Sequence, residues 1–207
     1  MDIGLISLAF AFLLALIESD NEPRTDADTN EKHLEKAIFA GGCFWCMQPA
    51  FDHLPGVIST AVGYTGGRTE NPTYEEVSLG RTGHTEAIEI VFDPSKIGFR
   101  ELIEIFWKNI NPAQENGQFA DKGSQYRTVI FYHDEGQRLQ AEASKQELEE
   151  SGKFGGRIAT EIEPAGPFYK AEDYHQEYYR KDPVHYTFYK IGSGRQSFLD
   201  KMWGRKD

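Results

Sequence analysis

Cysteine is nearly absent from this chain: it supplies two of the 207 residues, Cys43 and Cys46, three positions apart. A disulfide framework of the kind that staples secreted domains needs more cysteines, spread to close long loops. A bridge between such near neighbours restrains little of the unfolded chain. A structural zinc site lacks ligands too: there is no second cysteine pair, and the six histidines show no His-x(3–5)-His spacing. No metal or other cofactor is therefore expected. Basic clusters are also missing. Twenty-two Lys and Arg stand against 33 Asp and Glu, a formal charge of −11, which disfavours a nucleic-acid partner. No apolar run reaches the roughly 20 residues that cross a membrane. Internal repeats and low-complexity stretches are absent as well.

What is present is enough apolar material for a core, 39% hydrophobic and 13% aromatic residues. The length suits one domain with tails. Residues 1–17 contain a 15-residue apolar run, Ile3 to Ile17, the size of a secretory signal core but with Asp2 and no basic residue before it. The run favours export or membrane tethering over a cytoplasmic location; the competing reading is an upstream start codon or a terminal helix packed on the domain. Residues 18–34 are charged, carry Pro23 and read as a linker. A catalytic domain is expected over 35–191 and a polar surface tail over 192–207.

Within the domain, Lys36 to Gly42 reads as a buried strand running into a glycine turn. A helix is expected from Cys43 to Leu54, irregular around Pro49, then a strand from Val57 to Tyr64 and a long loop from Gly66 to Gly80. Thr85 to Phe92 alternates as a strand, with Glu86 on the face of Ile88, Ile90 and Phe92. Phe99, Leu102, Ile103, Phe106, Trp107 and Ile110 space as an amphipathic helix. A strand at Thr128–Tyr132, a helix at Glu135–Ser151, a last strand at Ile158–Ile162 and a long aromatic-rich C-terminal coil complete the order. The fold class is α+β, a two-layer sandwich of helices on a mixed sheet with a ferredoxin-like β-α-β-β-α-β core.

Gly41-Gly42-Cys43-Phe44-Trp45-Cys46 carries the most information. A strand, two glycines and a helix start place Cys43 among free N–H groups, which is expected to lower its thiol pKa. Cys46, one helical turn on, is close enough to form a disulfide with it; two buried structural thiols are the competing reading. Glu86 either points inward, where burial would keep it protonated as a general acid needs, or faces water at the strand's start. Tyr74 and Tyr126 lie in loops where phenols can donate hydrogen bonds to a substrate oxygen. Asp121 can orient such a donor or simply form a turn. Phe44 and Trp45 can wall an apolar pocket or belong to the core.

Taken together, these segments resemble the A-type peptide methionine sulfoxide reductases from about Lys36 to Tyr189. Gly42-Cys43-Phe44-Trp45 looks like the family's nucleophile motif and Gly83-His84-Thr85-Glu86 like its acid segment. Gly123-Ser124-Gln125-Tyr126-Arg127 and Tyr169-Lys170-Ala171-Glu172-Asp173-Tyr174-His175-Gln176 match two further blocks. The resemblance implies that Cys43 attacks the sulfur of the S epimer of methionine sulfoxide, free or in peptides. Glu86 would protonate the departing oxygen, Tyr74 and Tyr126 would hydrogen-bond it, Asp121 would support the site, and Phe44 and Trp45 would hold the S-methyl group. Cys43 would become a sulfenic acid, closed to a disulfide and recycled by thioredoxin or a similar dithiol. Many relatives recycle through C-terminal cysteines; this chain has none after Cys46, so Cys46 or an external thiol must resolve Cys43. His175 has a structural or a substrate role. A monomer is the default. The alternatives are a thioredoxin-like dithiol–disulfide oxidoreductase, which would not need Glu86, and a non-catalytic thiol redox sensor.

Overall fold

In the computed structural model of the chain, the described residues are Met1 and 33–204. The apolar run 3–17 and nearly all of the linker 18–34 lie outside them. No helix among the described residues is long and apolar enough to cross a membrane.

Strand β1 (Glu35–Gly41) is buried along most of its length because the sheet is covered on both faces there. Helix α1 (Phe44–Met47) lasts a single turn and passes into a 3-10 turn at Gln48–Ala50, since Pro49 has no N–H to continue an α-helix. The helix expected to reach Leu54 is therefore shorter. Strand β2 (Val57–Thr65) follows, and helix α2 (Tyr74–Ser78) stands where a plain loop is expected. A capping box between Thr73 and Glu76 starts it. Strand β3 (Thr85–Phe92) and helix α3 (Phe99–Trp107) match their periodicities. A short hairpin, β4 (Gly117–Gln118) and β5 (Asp121–Lys122), leads to β6 (Thr128–Tyr132) and α4 (Glu135–Glu150). Beyond these come β7 (Glu161–Pro164) and β8 (Tyr169–Lys170).

The six-stranded sheet runs β7-β6-β1-β3-β2-β8, antiparallel except for the parallel β6–β7 pair. It is a mixed sheet with helices, as expected. Phe39, Ile88, Ile90 and Ile130 point to the face covered by α3 and α4, where Leu102, Ile103 and Phe106 complete the main core. Ile38, Ala87, Val129 and Phe131 fill the other face against Ala165 and Phe168.

The expected C-terminal coil is corrected: α5 (Tyr178–Lys181), α6 (Pro183–Gly192) and α7 (Arg195–Trp203) occupy it. Asp182 caps the His185 N–H and Pro183 opens α6, a standard helix start. α6 buries no residue completely, which is why apolar periodicity does not reveal it. Helix α7 lies where a surface tail is expected, yet Arg195 and Leu199 are buried.

One glycine before the first thiol is required by its geometry. Gly42 has φ +78°, and a Cβ there would stand 2.4 Å from Cβ of Gln118. Gln118 cannot yield, because its amide holds Asn111 through both N–H and C=O at 2.8 Å. Gly42→Ala should therefore cost roughly 3 kcal/mol, a fall in Tm on the order of 10 °C by thermal denaturation. An unchanged Tm would show that the turn relaxes freely.

Candidate active site

Seven of the residues singled out from sequence converge. Cys43, Phe44, Trp45, Tyr74, Glu86, Asp121 and Tyr126, joined by Tyr189, line one cavity of about 150 Å³. That volume takes the tip of a single side chain.

Each is placed by a separate device. Alternation along β3 turns Glu86 inward, where it is 3% exposed and accepts the Phe44 N–H at 3.0 Å. Burial raises its pKa to about 8, helped by the negative charge of Asp121 and opposed by the Phe44 N–H. The inward reading of Glu86 holds. Tyr74 begins α2, and its N–H binds Glu172 at 2.9 Å while the other Glu172 oxygen accepts the Tyr64 hydroxyl at 2.8 Å. The far end of α2 is tied to the turn before β6 by Gln125 Nε2, which donates to Ser78 C=O at 2.9 Å. Two tyrosines 52 positions apart are so brought to one wall. Burial pushes the Tyr74 phenol up to about 12 and raises that of Tyr126 as well, so both remain hydrogen-bond donors. The loop between β2 and α2 is held by His84, which accepts from the Gly67 N–H at 3.1 Å and donates to Thr69 C=O at 2.7 Å.

The thiols depart from expectation. Both are buried and free, and the Cys43 pKa is raised, not lowered. Burial is the first cause; the hydrogen bond to Cys46 and the charges of Cys46 and Glu86 add to it. Burial prevails because the helix start offers little against it. α1 is one turn long, so its dipole is small, and the Phe44 N–H is spent on Glu86. Cys46 moves the other way, down to about 7, because it accepts the Cys43 S–H and feels the Arg195 guanidinium. Of the two thiols, Cys46 is therefore the more acidic and Cys43 the one that holds its proton more firmly. Cys46 itself does not line the larger cavity; it opens on a second one of about 80 Å³ with Tyr186, Lys190 and Arg195.

Trp45 is locked from behind. Its Nε1–H donates to Nδ1 of His175 at 3.0 Å, and its ring stacks on Tyr178 at 3.9 Å. His175 is 1% exposed, accepts that indole N–H and is not among the residues lining the cavity. Sequence analysis missed Tyr189, whose hydroxyl donates to Asp121 and whose ring lines the same cavity as Cys43. The Asp182-Pro183 helix start, with Tyr189 two turns on, was the available signal. Tyr189→Phe should leave the fold intact and slow turnover by about tenfold, the worth of one hydrogen bond to a buried charge; steady-state rates with dithiothreitol measure it. Among the described residues no group of three or more His, Cys, Asp or Glu side chains is arranged to hold a metal.

The model of the family "Peptide methionine sulfoxide reductase" matches residues 35–207. The peptide methionine sulfoxide reductase MsrA of Bacillus licheniformis is 56% identical over 83% of this chain and 95% of its own. Among solved structures, reduced Mxr1 of Saccharomyces cerevisiae superposes with a TM-score of 0.69 at 32% identity, covering 73% of this chain and 87% of that one. Methionine sulfoxide reductase A of Corynebacterium diphtheriae gives 0.65 at 37%, covering 75% and 78%. The four sequence blocks, the cavity they build around Cys43 and these likenesses agree, and the chain belongs to the peptide methionine sulfoxide reductase family, in its A-type branch.

Proposed function

We propose that this enzyme reduces the S epimer of methionine sulfoxide, free or in peptides, at Cys43. The observation that carries the reading is a neutral carboxyl, Glu86, and three phenols gathered around one thiol in a side-chain-sized cavity. The sulfoxide oxygen lies toward Glu86, Tyr74 and Tyr126, and the S-methyl group against Phe44 and Trp45. Cys43 attacks the sulfoxide sulfur as its proton passes to the Cys46 thiolate, while Glu86 protonates the oxygen. The hydroxyl then passes from the methionine sulfur to Cys43: the methionine S–O bond and the new S–S bond break as a Cys43 S–O bond forms, methionine leaves, and Cys43 is a sulfenic acid beside a Glu86 carboxylate. Asp121 accepts the Tyr189 hydroxyl and so fixes that ring in the cavity wall beside Cys43. Cys46 then closes the disulfide with loss of water, and thioredoxin or a similar dithiol reopens it. The scaffold is read as a ferredoxin-like core, β1-α1-β2-β3-α3-β6, acting as a monomer. A thioredoxin-like oxidoreductase would leave Glu86 and the phenols without a task.

The test is turnover of each epimer of a methionine sulfoxide peptide. Reduction of the S epimer alone is expected, with Cys46→Ser active on dithiothreitol but inactive with thioredoxin. Equal reduction of both epimers, or none, would refute the reading.

A further inference from the structure

Arg195 is the only Lys or Arg among the described residues that is buried, at 2% exposure. An unpaired buried cation is costly. Its guanidinium hydrogen bonds go only to uncharged groups: Gly41 C=O at 2.9 Å, Asn109 C=O at 2.6 Å and the Met47 sulfur at 3.7 Å. The Phe119 ring lies 4.6 Å below it. These contacts fasten it to the residues that flank the two thiols, and the group it shares a cavity with is Cys46. Lys190, half-exposed, is the second cation on that cavity. The carboxyls of Asp121 and Glu86 act on the thiol pair from the other side.

We propose that Arg195 is a positioning residue for the resolving step, its buried guanidinium holding Cys46 as a thiolate opposite Cys43, with Lys190 in support. This rests on the reading of Cys46 as the resolving thiol. In that step the Cys46 thiolate attacks the sulfur of the Cys43 sulfenic acid. The S–S bond forms, the S–O bond breaks, and the hydroxyl leaves as water with the proton Cys46 gave up. On recycling, a thiolate of the dithiol attacks Cys43 and forms a mixed disulfide with it, while Cys46 departs as a thiolate beside Arg195. The second thiol of the dithiol then closes its own disulfide and releases Cys43. The lower pKa of Cys46 makes it the better leaving group.

The test mixes the reduced full chain with one equivalent of methionine sulfoxide and no reductant, following methionine release, thiol loss and trapping of sulfenic acid by a 1,3-dione. The wild type should release methionine, lose both thiols and trap little adduct. Arg195→Met should release methionine but accumulate about tenfold more adduct at pH 7, as the thiolate fraction of Cys46 falls; Arg195→Lys should restore closure. In a Cys43→Ser chain, titration of thiolate absorbance should place the Cys46 pKa higher with Arg195→Met than with Arg195 present. Failure of the wild type to release methionine would refute the function reading. Normal release with normal closure in Arg195→Met, or an unmoved Cys46 titration, would overturn the role of Arg195 alone. Should Arg195→Met fail to fold, Lys190→Met decides: a smaller upward shift of the same titration supports the proposal, and no shift overturns it.

Discussion

Cys43→Ser should lower methionine release by ~10⁴-fold or more, to the level of the uncatalysed reaction. A serine hydroxyl is a far weaker nucleophile than sulfur and has no stable equivalent of the sulfenic acid that takes up the oxygen. Nothing nearby substitutes for it, since Cys46 opens on a different cavity and cannot reach a sulfoxide held by Phe44 and Trp45. The contrast with Cys46→Ser is the informative part. That chain should still release one methionine per molecule without reductant, though more slowly, because Cys43 takes up the oxygen while the thiolate that receives its proton is gone. A single-turnover experiment on both variants checks this. Methionine released by Cys43→Ser would mean that the thiols' roles are exchanged.

Glu86→Gln should slow methionine release by ~10³-fold. The glutamine oxygen can still accept the Phe44 N–H, so the wall keeps its shape while the transferable proton is lost. In the wild type, the Glu86 pKa of about 8 sets the direction of the pH profile: release falls as pH rises through about 8 and the acid is ionised. The variant should lack that limb. Stability moves with the same proton. The folded pKa lies above the unfolded value of about 4.3, so the stability present at low pH is lost progressively up to about pH 8. Glu86→Gln should accordingly gain Tm relative to the wild type at pH 9 and show little difference at pH 4. Equal differences at both pH values would mean that Glu86 is ionised throughout.

Much of this site was legible because its parts answer to local rules. Strand alternation put Glu86 on the face of Ile88, Ile90 and Phe92 but left a water-facing reading open at the strand's start, and Gly-Gly before Cys43 announced a tight turn that Gln118 and Arg195 now explain. The unread parts depend on partners far along the chain. No local pattern says that Phe44 N–H is committed to Glu86, 42 positions on, or that Cys43 is buried deeply enough for its pKa to rise and not fall. Tyr189 and Arg195 sit in polar, aromatic-rich sequence whose helices show no apolar stripe toward a core. Arg195 in particular looked like a solvated tail residue, since nothing in its neighbours shows that two carbonyls and an aromatic ring await its guanidinium. β8, two residues long, is held by its pairing with β2 and not by its own propensity.

α6 lends Tyr189 to the Cys43 cavity, and α6 and α7 together line the Cys46 cavity, while the nucleophile stands at the start of the first helix. Synthesis proceeds from the N-terminus, so an elongating chain displays Cys43 and Cys46 well before Tyr189, Lys190 and Arg195 exist. During that interval the sheet can form, but the thiols have neither their phenol nor their guanidinium. A nascent chain is thus exposed to the oxidants that its finished form is equipped to answer, and an early Cys43–Cys46 bridge, closed before the last two helices dock, is a state from which the enzyme must first be rescued by a dithiol.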